Sequence, residues 1–262
     1  MSFKITGSGS CIPSVVQNND TFLNHSFYDE SGSEFDIENQ TIIEKFSSIT
    51  GINQRKYISA NLTTSDIAYQ AAKSAIKDAD IDPETLDYII LAHNFGDITC
   101  NSKQIDTLPS LASRVKAKLK IKNPECIAYD VLFGCPGWIE GMIQAQAFIK
   151  AKMAQKCLVI GADALSRVID SHDRDSMIYA DGAGATVLEK SSQEGGILSH
   201  CTLTFTAEDE ANFIFYGKSS NKGECNGDKF IKMQGRKVYE LSLIHISEPT
   251  RRYAISYAVF CL

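Results

Sequence analysis

Short apolar runs alternate with segments of helical spacing through the middle of this 262-residue chain. Three of the runs are continuous enough to be strands covered on both faces: LDYIILAH after Pro83, Cys126 to Phe133, and CLVIGAD. Helices are predicted around them, over SDIAYQAAKSAIKDAD from Ser65, from Ser110 to Leu119 and from Ile139 to Lys152. Because this order joins parallel strands through helices, we expect an α/β fold with helices on both faces of a largely parallel sheet.

Two details of this pattern carry further predictions. Ser65 stands where an N-cap residue would begin the first of these helices. A strand from Ile178 to Leu188 is expected to be interrupted by the segment DGAGAT. That segment lacks the G-x-G-x-x-G spacing of a dinucleotide site and precedes a strand instead of a helix, so we interpret it as a structural turn.

The net charge of −6 disfavours partners with dense negative charge, such as nucleic acids and anionic membrane surfaces. The first residues, MSFKITGSGSCIPS, hold no apolar run long enough for a signal peptide, and no segment has the length of a membrane span. We therefore expect a cytoplasmic protein with no nucleic-acid partner and no membrane insertion. Four lysines form a local basic stripe that could attract an acidic partner, although a solvated face is the more ordinary interpretation: Lys116, Lys118, Lys120 and Lys122.

Eight cysteines are scattered along the chain, and none belongs to a C-x-x-C pair or a Cys/His cluster. The sequence therefore indicates neither a zinc site nor a thioredoxin-like motif. In a reducing compartment, most of these thiols should be small buried apolar groups.

Cys135 differs from that background because it stands between an apolar strand and a helix, in YDVLFGCPGWIEGMIQAQAF. Pro136 suits the first position of a helix, and the positive end of a helix dipole favours thiolate over thiol. The flanking Gly134 and Gly137 would let backbone and substrate approach closely. These features suit a nucleophilic cysteine, but a cysteine at such a place is also an ordinary packing residue.

Six colinear segments resemble the β-ketoacyl-acyl-carrier-protein synthase III family, whose members are condensing enzymes of the thiolase fold. They are ITGSGSCIP, TGINQRKYISA, YDVLFGCPGW, VIGADALSR, DRDSMIYADGAGATVLEK and MQGRKVYELSL, within about residues 3 to 243. The resemblance implies a thiolase-like fold of layered α-β-α architecture, with its first half complete and its second half incomplete. The first half would span 1–190, and the second would begin over 191–243.

The resemblance makes Cys135 the residue that accepts the acyl group. The implied reaction begins when an acyl-CoA or acyl-carrier starter acylates the thiol; malonyl-acyl-carrier protein then loses carbon dioxide, and its carbanion attacks the thioester. The backbone N–H of Cys135 would form half of an oxyanion hole. No metal or redox cofactor is implied. The implied partners are acyl-CoA, an acyl-carrier protein and a second copy in a homodimer, and the implied process is fatty acid biosynthesis.

Substrate-binding roles are implied for five further residues. Arg167 matches an arginine that contacts the CoA nucleotide. Met233, Gly235 and Tyr239 match the segment that lines the pantetheine tunnel, although an ordinary amphipathic helix start would look the same. Leu108 occupies a place where many members carry a phenylalanine that reaches into the partner's acyl pocket. Its smaller side chain suggests a starter other than the shortest one, or else a conservative core change.

Two departures from the family pattern concern the starter. Ile49 stands where many members have a CoA-binding arginine, and Lys45 or Phe46 replaces a tryptophan that stacks on adenine. The starter is therefore also compatible with delivery on a carrier protein, as in condensing enzymes of secondary metabolism.

The match to the family stops after Leu243. The segment 244–262 resembles translated sequencing-adapter sequence, which suggests an assembly artefact, with a divergent C-terminus as the alternative. A histidine and an asparagine that stabilise the enolate in the family are expected beyond this point, and none of the five histidines here lies in that motif. We therefore expect this chain alone not to complete the condensation.

Two other functions stay open from the sequence. One is a different acyltransferase of the thiolase fold, such as a hydroxymethylglutaryl-CoA synthase or a secondary-metabolite ketosynthase, which shares the cysteine at this elbow. The other is a non-catalytic partner subunit that binds a carrier protein. Such partners usually lack the nucleophile, so the presence of Cys135 favours an enzyme.

Overall fold

The computed structural model describes residues 2–223 and 227–241. In chain order its elements are β1 (Ser2–Cys11), β2 (Val15–Asn18), α1 (Asn39–Thr50), β3 (Gln54–Tyr57), α2 (Thr64–Ala79), β4 (Tyr88–His93), α3 (Leu111–Lys118), β5 (Ile127–Leu132), α4 (Gly137–Lys150), β6 (Lys156–Ala164), β7 (Asp181–Ser191), β8 (Ile214–Lys218), β9 (Lys229–Met233) and α5 (Gly235–Leu241). Within these ranges every helix is too short or too polar to cross a membrane. The predicted artefact over 244–262 lies outside the described residues.

The chain forms two compact units whose segments interleave along the sequence. The first unit contains the segment up to Pro13, Ile58–Ala164 and Asp181–Leu203. The second contains Ser14–Tyr57, Leu165–Ala180 and the described residues from Thr204 onward. The predicted boundary near residue 190 concerns the two halves of the family fold, and it stays a prediction.

A five-stranded sheet in the order β1-β7-β6-β4-β5 forms the centre of the first unit. β4 pairs in parallel with β5 and β6, whereas β7 is antiparallel to both β6 and β1. The predicted α/β class is confirmed, but the expected parallel pairing extends to only three of the five strands. Residues 165–180, between β6 and β7, contain only short 3-10 turns. Without a crossover helix there, β7 returns antiparallel beside β6.

Helices cover both faces of this sheet, as the strand and helix order predicted. α2 and α3 pack on one face and α4 on the other. Successive residues of β4 alternate between the two: Ile89 and Leu91 face α2 and α3, and Ile90 faces α4. All three side chains are fully buried, and each contributes about 1.5–3 kcal/mol to the free energy of unfolding. The layered α-β-α architecture is therefore confirmed.

The start of α2 differs from the prediction. The N-cap is Thr63, not Ser65. The backbone N–H and the hydroxyl of Thr63 both donate to Asp66 Oδ2 at 2.9 Å. The backbone N–H and hydroxyl of Ser65 instead donate to Asp97 at 2.7 Å. Ser65 is thus used for a contact between distant parts of the chain, which no local pattern indicates.

The segment DGAGAT is not a turn, which corrects the sequence-based interpretation. It lies inside β7, which begins at Asp181, after a short 3-10 turn over Arg174–Ile178. Its small residues suit a strand with neighbours on both sides: Ala183 pairs with Cys11 of β1 and with Ala162 of β6. The predicted α4 is confirmed, although it starts two residues earlier than expected, at Gly137.

The second unit contains two small antiparallel sheets, β2 with β3 and β8 with β9. Five buried apolar residues form its own core cluster: Phe22, Phe27, Ile42, Ile43 and Met177. The end of β9 and the following α5 carry three of the predicted substrate-binding residues, Met233, Gly235 and Tyr239.

Candidate active site

Cys135 lies in the turn that joins β5 to α4, with its side chain exposed. β5 ends at Leu132, and Pro136 is the N-cap of α4. The backbone N–H of Gly137 donates to the carbonyl of Gly134 at 2.8 Å, which closes a tight turn around the cysteine. The predicted strand-to-helix elbow is confirmed, except that Pro136 precedes the first helical residue.

Gly137 allows α4 to approach the sheet at this elbow. A Cβ atom on Gly137 would lie 2.8 Å from the Cβ of Ala92 and 3.2 Å from the Cβ of Phe133. A contact of 2.8 Å between carbon atoms forces the backbone to shift, because protein interiors are close-packed. Gly137 therefore fixes the distance between α4 and the end of β4, and with it the position of Cys135.

Polar residues collect at the edge of the sheet that carries Cys135. β4, β5 and β6 are parallel, so their carboxyl ends meet at one edge. His93 and Asn94 lie at the end of β4, and Asp163 lies near the end of β6. Ligands of open α/β sheets bind at such an edge. None of these three residues was singled out from the sequence.

His93 is buried and holds two different segments. Its Nε2 lies 3.0 Å from Asp130 Oδ2 on β5, and its Nδ1 accepts a hydrogen bond of 3.0 Å from the backbone N–H of Gly96. Because Nδ1 accepts, Nε2 is the nitrogen that donates to Asp130. His93 thus joins β4 to β5 and to the loop at Gly96.

Asp130 links β5 to the start of α3. Its two carboxylate oxygens accept hydrogen bonds of 2.7 Å from the backbone N–H groups of Leu111 and Ala112. Burial alone would raise the pKa of Asp130, but the hydrogen bonds from His93 and from these two amides outweigh it and hold the pKa below its ordinary value. An ionised carboxylate at a helix N-terminus is also favoured by the helix dipole.

The pKa of Asp163 is shifted in the opposite direction to that of Asp130. Asn94 donates to its carboxylate twice, from the backbone N–H at 3.0 Å and from Nδ2 at 2.6 Å. Burial nevertheless raises the pKa of Asp163, with a smaller contribution from the nearby Asp181. Two aspartates at one edge of the sheet therefore have pKa values displaced in opposite directions.

Leu108 lies on the connection between β4 and α3 and is 85% exposed. A conservative change within the core of this chain is therefore excluded as the explanation of this leucine. Leu132, at the end of β5, is exposed as well. Asp130 ties the start of α3 to β5, so the connection that carries Leu108 reaches the same end of that strand.

Arg167, Met233, Gly235 and Tyr239 all belong to the second unit. Arg167 ends a 3-10 turn, and the carbonyl of the next residue, Val168, accepts a hydrogen bond of 2.8 Å from Ile231 of β9. This bond brings the segment of Arg167 to the strand that ends at Met233. Tyr239 is exposed on α5. The predicted residues therefore form two groups, Cys135 with Leu108 in the first unit and these four in the second.

Met233 also lines a cavity of about 650 Å³ within the second unit. Lys232, which also lines this cavity, forms a buried ion pair with Asp170. The ammonium of Lys232 also donates to Asp173 Oδ2 at 3.0 Å and to Ser220 Oγ at 2.8 Å. Burial would raise the pKa of Asp170, but the hydrogen bonds from Lys232 and Ser220 lower it below its ordinary value. The sequence offered no local signal for this pairing.

Two members of the predicted basic stripe have internal partners. Lys116 donates to the carbonyls of Asn123 and Cys126, and Lys118 donates to Asp66 and to Ser65. These two lysines therefore hold the fold together and do not form an open, solvated face. Across residues 2–223 and 227–241, no group of three or more His, Cys, Asp or Glu side chains is arranged to hold a metal ion.

The chain is similar to known proteins over most of its length. Residues 129–204, which include Cys135, match the family model of 3-oxoacyl-[acyl-carrier-protein (ACP)] synthase III. A β-ketoacyl-[acyl-carrier-protein] synthase III of Erythrobacter litoralis is 31% identical over 248 residues, which cover 93% of this chain and 69% of that protein. A synthase III of Vibrio parahaemolyticus is 33% identical over 249 residues, which cover 95% of this chain and 70% of the relative.

The same similarity extends to three dimensions. The crystal structure of the 3-oxoacyl-(acyl carrier protein) synthase III of Pseudomonas aeruginosa matches with a TM-score of 0.73 and 25% sequence identity. That match covers 96% of this chain and 70% of the crystallised one.

Proposed function

Because the chain belongs to the 3-oxoacyl-(acyl-carrier-protein) synthase III family of condensing enzymes, we propose that it is an acyltransferase whose nucleophile is Cys135. The observation that carries the proposal is the exposed thiol at the start of α4, inside the segment that matches the family model. The proposed process is fatty acid biosynthesis.

The proposed reaction has two steps. The sulfur of Cys135 attacks the thioester carbonyl of an acyl-CoA or acyl-carrier starter, and the starter's thiol leaves with a proton. In the second step, which we expect to require the histidine and asparagine that the family pattern places beyond Leu243, malonyl-acyl-carrier protein loses carbon dioxide and its carbanion attacks the Cys135 thioester. This attack releases a β-ketoacyl product and a thiolate, which takes a proton from solvent. The backbone N–H of Cys135 is a proposed donor to the oxyanion of each tetrahedral intermediate. No metal or redox cofactor takes part.

Each residue that the family resemblance marked as substrate-binding is assigned a proposed role. Arg167 is assigned to the CoA nucleotide, because a guanidinium can both stack on a base and donate to phosphate oxygens. Met233, Gly235 and Tyr239 are assigned to the pantetheine arm. Leu108 is assigned to the acyl chain, and its high exposure supports a contact outside its own chain.

The protein is proposed to act as a cytoplasmic homodimer. β5 is one of the two outer strands of the five-stranded sheet, and its Ile127 and Leu132 are exposed together with Leu108. An unpaired strand edge with apolar side chains favours association with another chain. A second copy would cover these residues.

Intact-protein mass spectrometry after incubation with acyl-CoA tests the proposal. We expect one acyl group per chain, mapped to Cys135 and absent from Cys135→Ala. Cys201→Ala is the matched control, because Cys201 is also exposed and lies in the same unit; this variant should keep the adduct. A folded wild-type chain that accepts no acyl group from CoA or carrier starters would favour a non-catalytic partner subunit. Turnover with acetoacetyl-CoA as the second substrate, in place of malonyl-carrier protein, would favour a hydroxymethylglutaryl-CoA synthase.

A further inference from the structure

One guanidinium holds most of the connection between β4 and α3. Arg114, in the first half of α3, donates from Nη1 to Asp97 Oδ2 at 2.8 Å and from Nη2 to Asp106 Oδ1 at 2.7 Å. It also donates from Nη2 to the carbonyl of Leu108 and from Nε to the carbonyl of Pro109, both at 3.0 Å. Four acceptors at different points of one loop are therefore joined by a single planar group.

Asp97, the partner of Arg114 at the start of the loop, is held in place by a second residue, Ser65. Asp97 is buried, and its carboxylate also accepts the backbone N–H and the hydroxyl of Ser65 at the start of α2. Asp97 and Asp106 exchange two backbone hydrogen bonds, of 3.0 and 2.9 Å, so the two arms of the loop are paired. The loop is thus anchored to α2 as well as to α3.

Leu108 is presented by this arrangement. Its N–H donates to Asp106 Oδ1 at 3.2 Å and its carbonyl accepts from Arg114, while its side chain extends into solvent. The backbone of Leu108 is therefore held on both sides, and the apolar side chain makes little contact with its own unit. Such a residue enters a contact with little further loss of backbone entropy.

The helix that carries Arg114 is also tied to the strand that leads to Cys135. Asp130 of β5 accepts the first two backbone N–H groups of α3, and β5 ends three residues before Cys135. The first turn of α3 is therefore bonded to β5, the strand that leads to Cys135. Through Arg114, the same helix is bonded to the loop that carries Leu108.

We propose that Arg114 is a positioning residue that sets the acyl-chain selectivity of the enzyme through Leu108. This inference rests on the proposed function, in which Leu108 meets the acyl chain. Arginine is required because its five donors form a rigid fork, whereas the ammonium of lysine is a single point charge that cannot join these four separated acceptors. Arg114 touches no reacting atom, and its effect is entirely through the loop.

The test compares acylation of Cys135 by short and long starters. Wild type, Arg114→Met, Arg114→Lys and Leu108→Ala are each incubated with an equimolar mixture of acetyl-CoA and octanoyl-CoA, and the ratio of the two adducts is measured by mass spectrometry. We expect Arg114→Met to bring the ratio about tenfold closer to unity, because Leu108 would no longer be held in one position against the acyl chain. Arg114→Lys should fall between wild type and Arg114→Met.

A double-mutant cycle separates positioning from general loss of structure. If Arg114 acts through Leu108, Arg114→Met should change the ratio in the wild-type background but not in the Leu108→Ala background. Lys116→Met is the matched control, because Lys116 is on the same helix and contacts only carbonyls outside the loop. It should lower stability without changing the ratio.

Three outcomes would overturn the inference: an unchanged ratio in Arg114→Met, an equal change in Lys116→Met, or independent effects of the Arg114 and Leu108 variants. Should Arg114→Met fail to fold, Asp106→Ala serves instead. Asp106 is largely exposed, and its removal frees the N–H of Leu108 while the contact between Arg114 and Asp97 stays. If Arg114→Met is acylated with the same selectivity as wild type, only the role of Arg114 is contradicted. If the folded wild type is not acylated at all, the proposed function itself is contradicted.

Discussion

His93 Nε2 lies 3.0 Å from Asp130 Oδ2, across the neighbouring parallel strands β4 and β5. The pair also connects these two strands to a loop and a helix. His93 accepts a hydrogen bond from the loop residue Gly96, and Asp130 accepts one from the start of α3. It lies at the edge of the sheet that carries Cys135.

Replacing His93 with alanine should destabilise the first unit. The variant removes a donor to a carboxylate that is mostly buried, and such hydrogen bonds to charged groups contribute about 1.5–3 kcal/mol. Urea unfolding measures the change in the free energy of unfolding. His200→Ala is the control, because His200 is exposed, and it should stay within about 0.5 kcal/mol of wild type. Equal stability of the two variants would contradict a structural role for His93.

Asp130 should contribute to acid unfolding. Its folded-state pKa lies below the ordinary value of about 3.9, so its ionised form adds stability that is fully present above that pH. This contribution is lost as the pH falls through the lower, folded-state pKa. The difference in free energy of unfolding between wild type and Asp130→Asn should therefore be largest above pH ~4 and shrink at lower pH. Parallel stability curves from pH 6 to pH 2 would refute this assignment.

Lys232 should matter far more to stability than Lys237, although both form ion pairs. Lys232→Met leaves the buried carboxylate of Asp170 without its cation, at a cost of about 3–5 kcal/mol. Lys237 pairs with Asp209, and both side chains are about half exposed, so Lys237→Met should cost far less than Lys232→Met. Thermal and urea unfolding of the two variants measure the contrast. Similar costs would mean that Lys232 is not buried in solution.

Gly137→Ala should impair both stability and acylation of Cys135. The new methyl group would lie 2.8 Å from the Cβ of Ala92, and overpacking of this kind costs about 1–3 kcal/mol. Because the first residue of α4 must move, the rate of adduct formation at Cys135 should fall as well. Gly184→Ala is the control, since no atom lies within 4 Å of its added Cβ. Full activity of a folded Gly137→Ala variant would show that the elbow tolerates the shift.

The parts of the fold that were predictable are those that local pattern encodes. β4 and α4 follow from a continuous apolar run and from helical spacing, and Cys135 follows from its place between a strand and a helix. The direction of β7 was not predictable, because parallel or antiparallel pairing depends on how the chain returns to the sheet. Its glycines indicated a turn, whereas the structure uses small residues inside a strand that is paired on both sides.

Most of the polar pairs could not be predicted from local sequence for a similar reason. At the start of α2, the spacing of Thr63 and Asp66 is a local signal for the capping box, whereas the bonds from Ser65 to the distant Asp97 have no local signal. His93 and Asp130, like Lys232 and Asp170, are far apart in sequence and become partners only after the strands align. Arg114 was equally unremarkable in sequence, because its four acceptors are fixed by the shape of a loop.

The pairing of β1 with β7 has a consequence for biosynthesis. β1 is an outer strand of its sheet, and its first residue, Ser2, pairs with Ser191. At about 5–20 residues per second, the ribosome delivers β7 on the order of ten seconds or more after β1. During that interval the nascent N-terminal strand has an open edge, with Phe3 not yet in its core cluster. Chaperone occupancy of translating ribosomes should therefore persist until β7 has emerged from the exit tunnel.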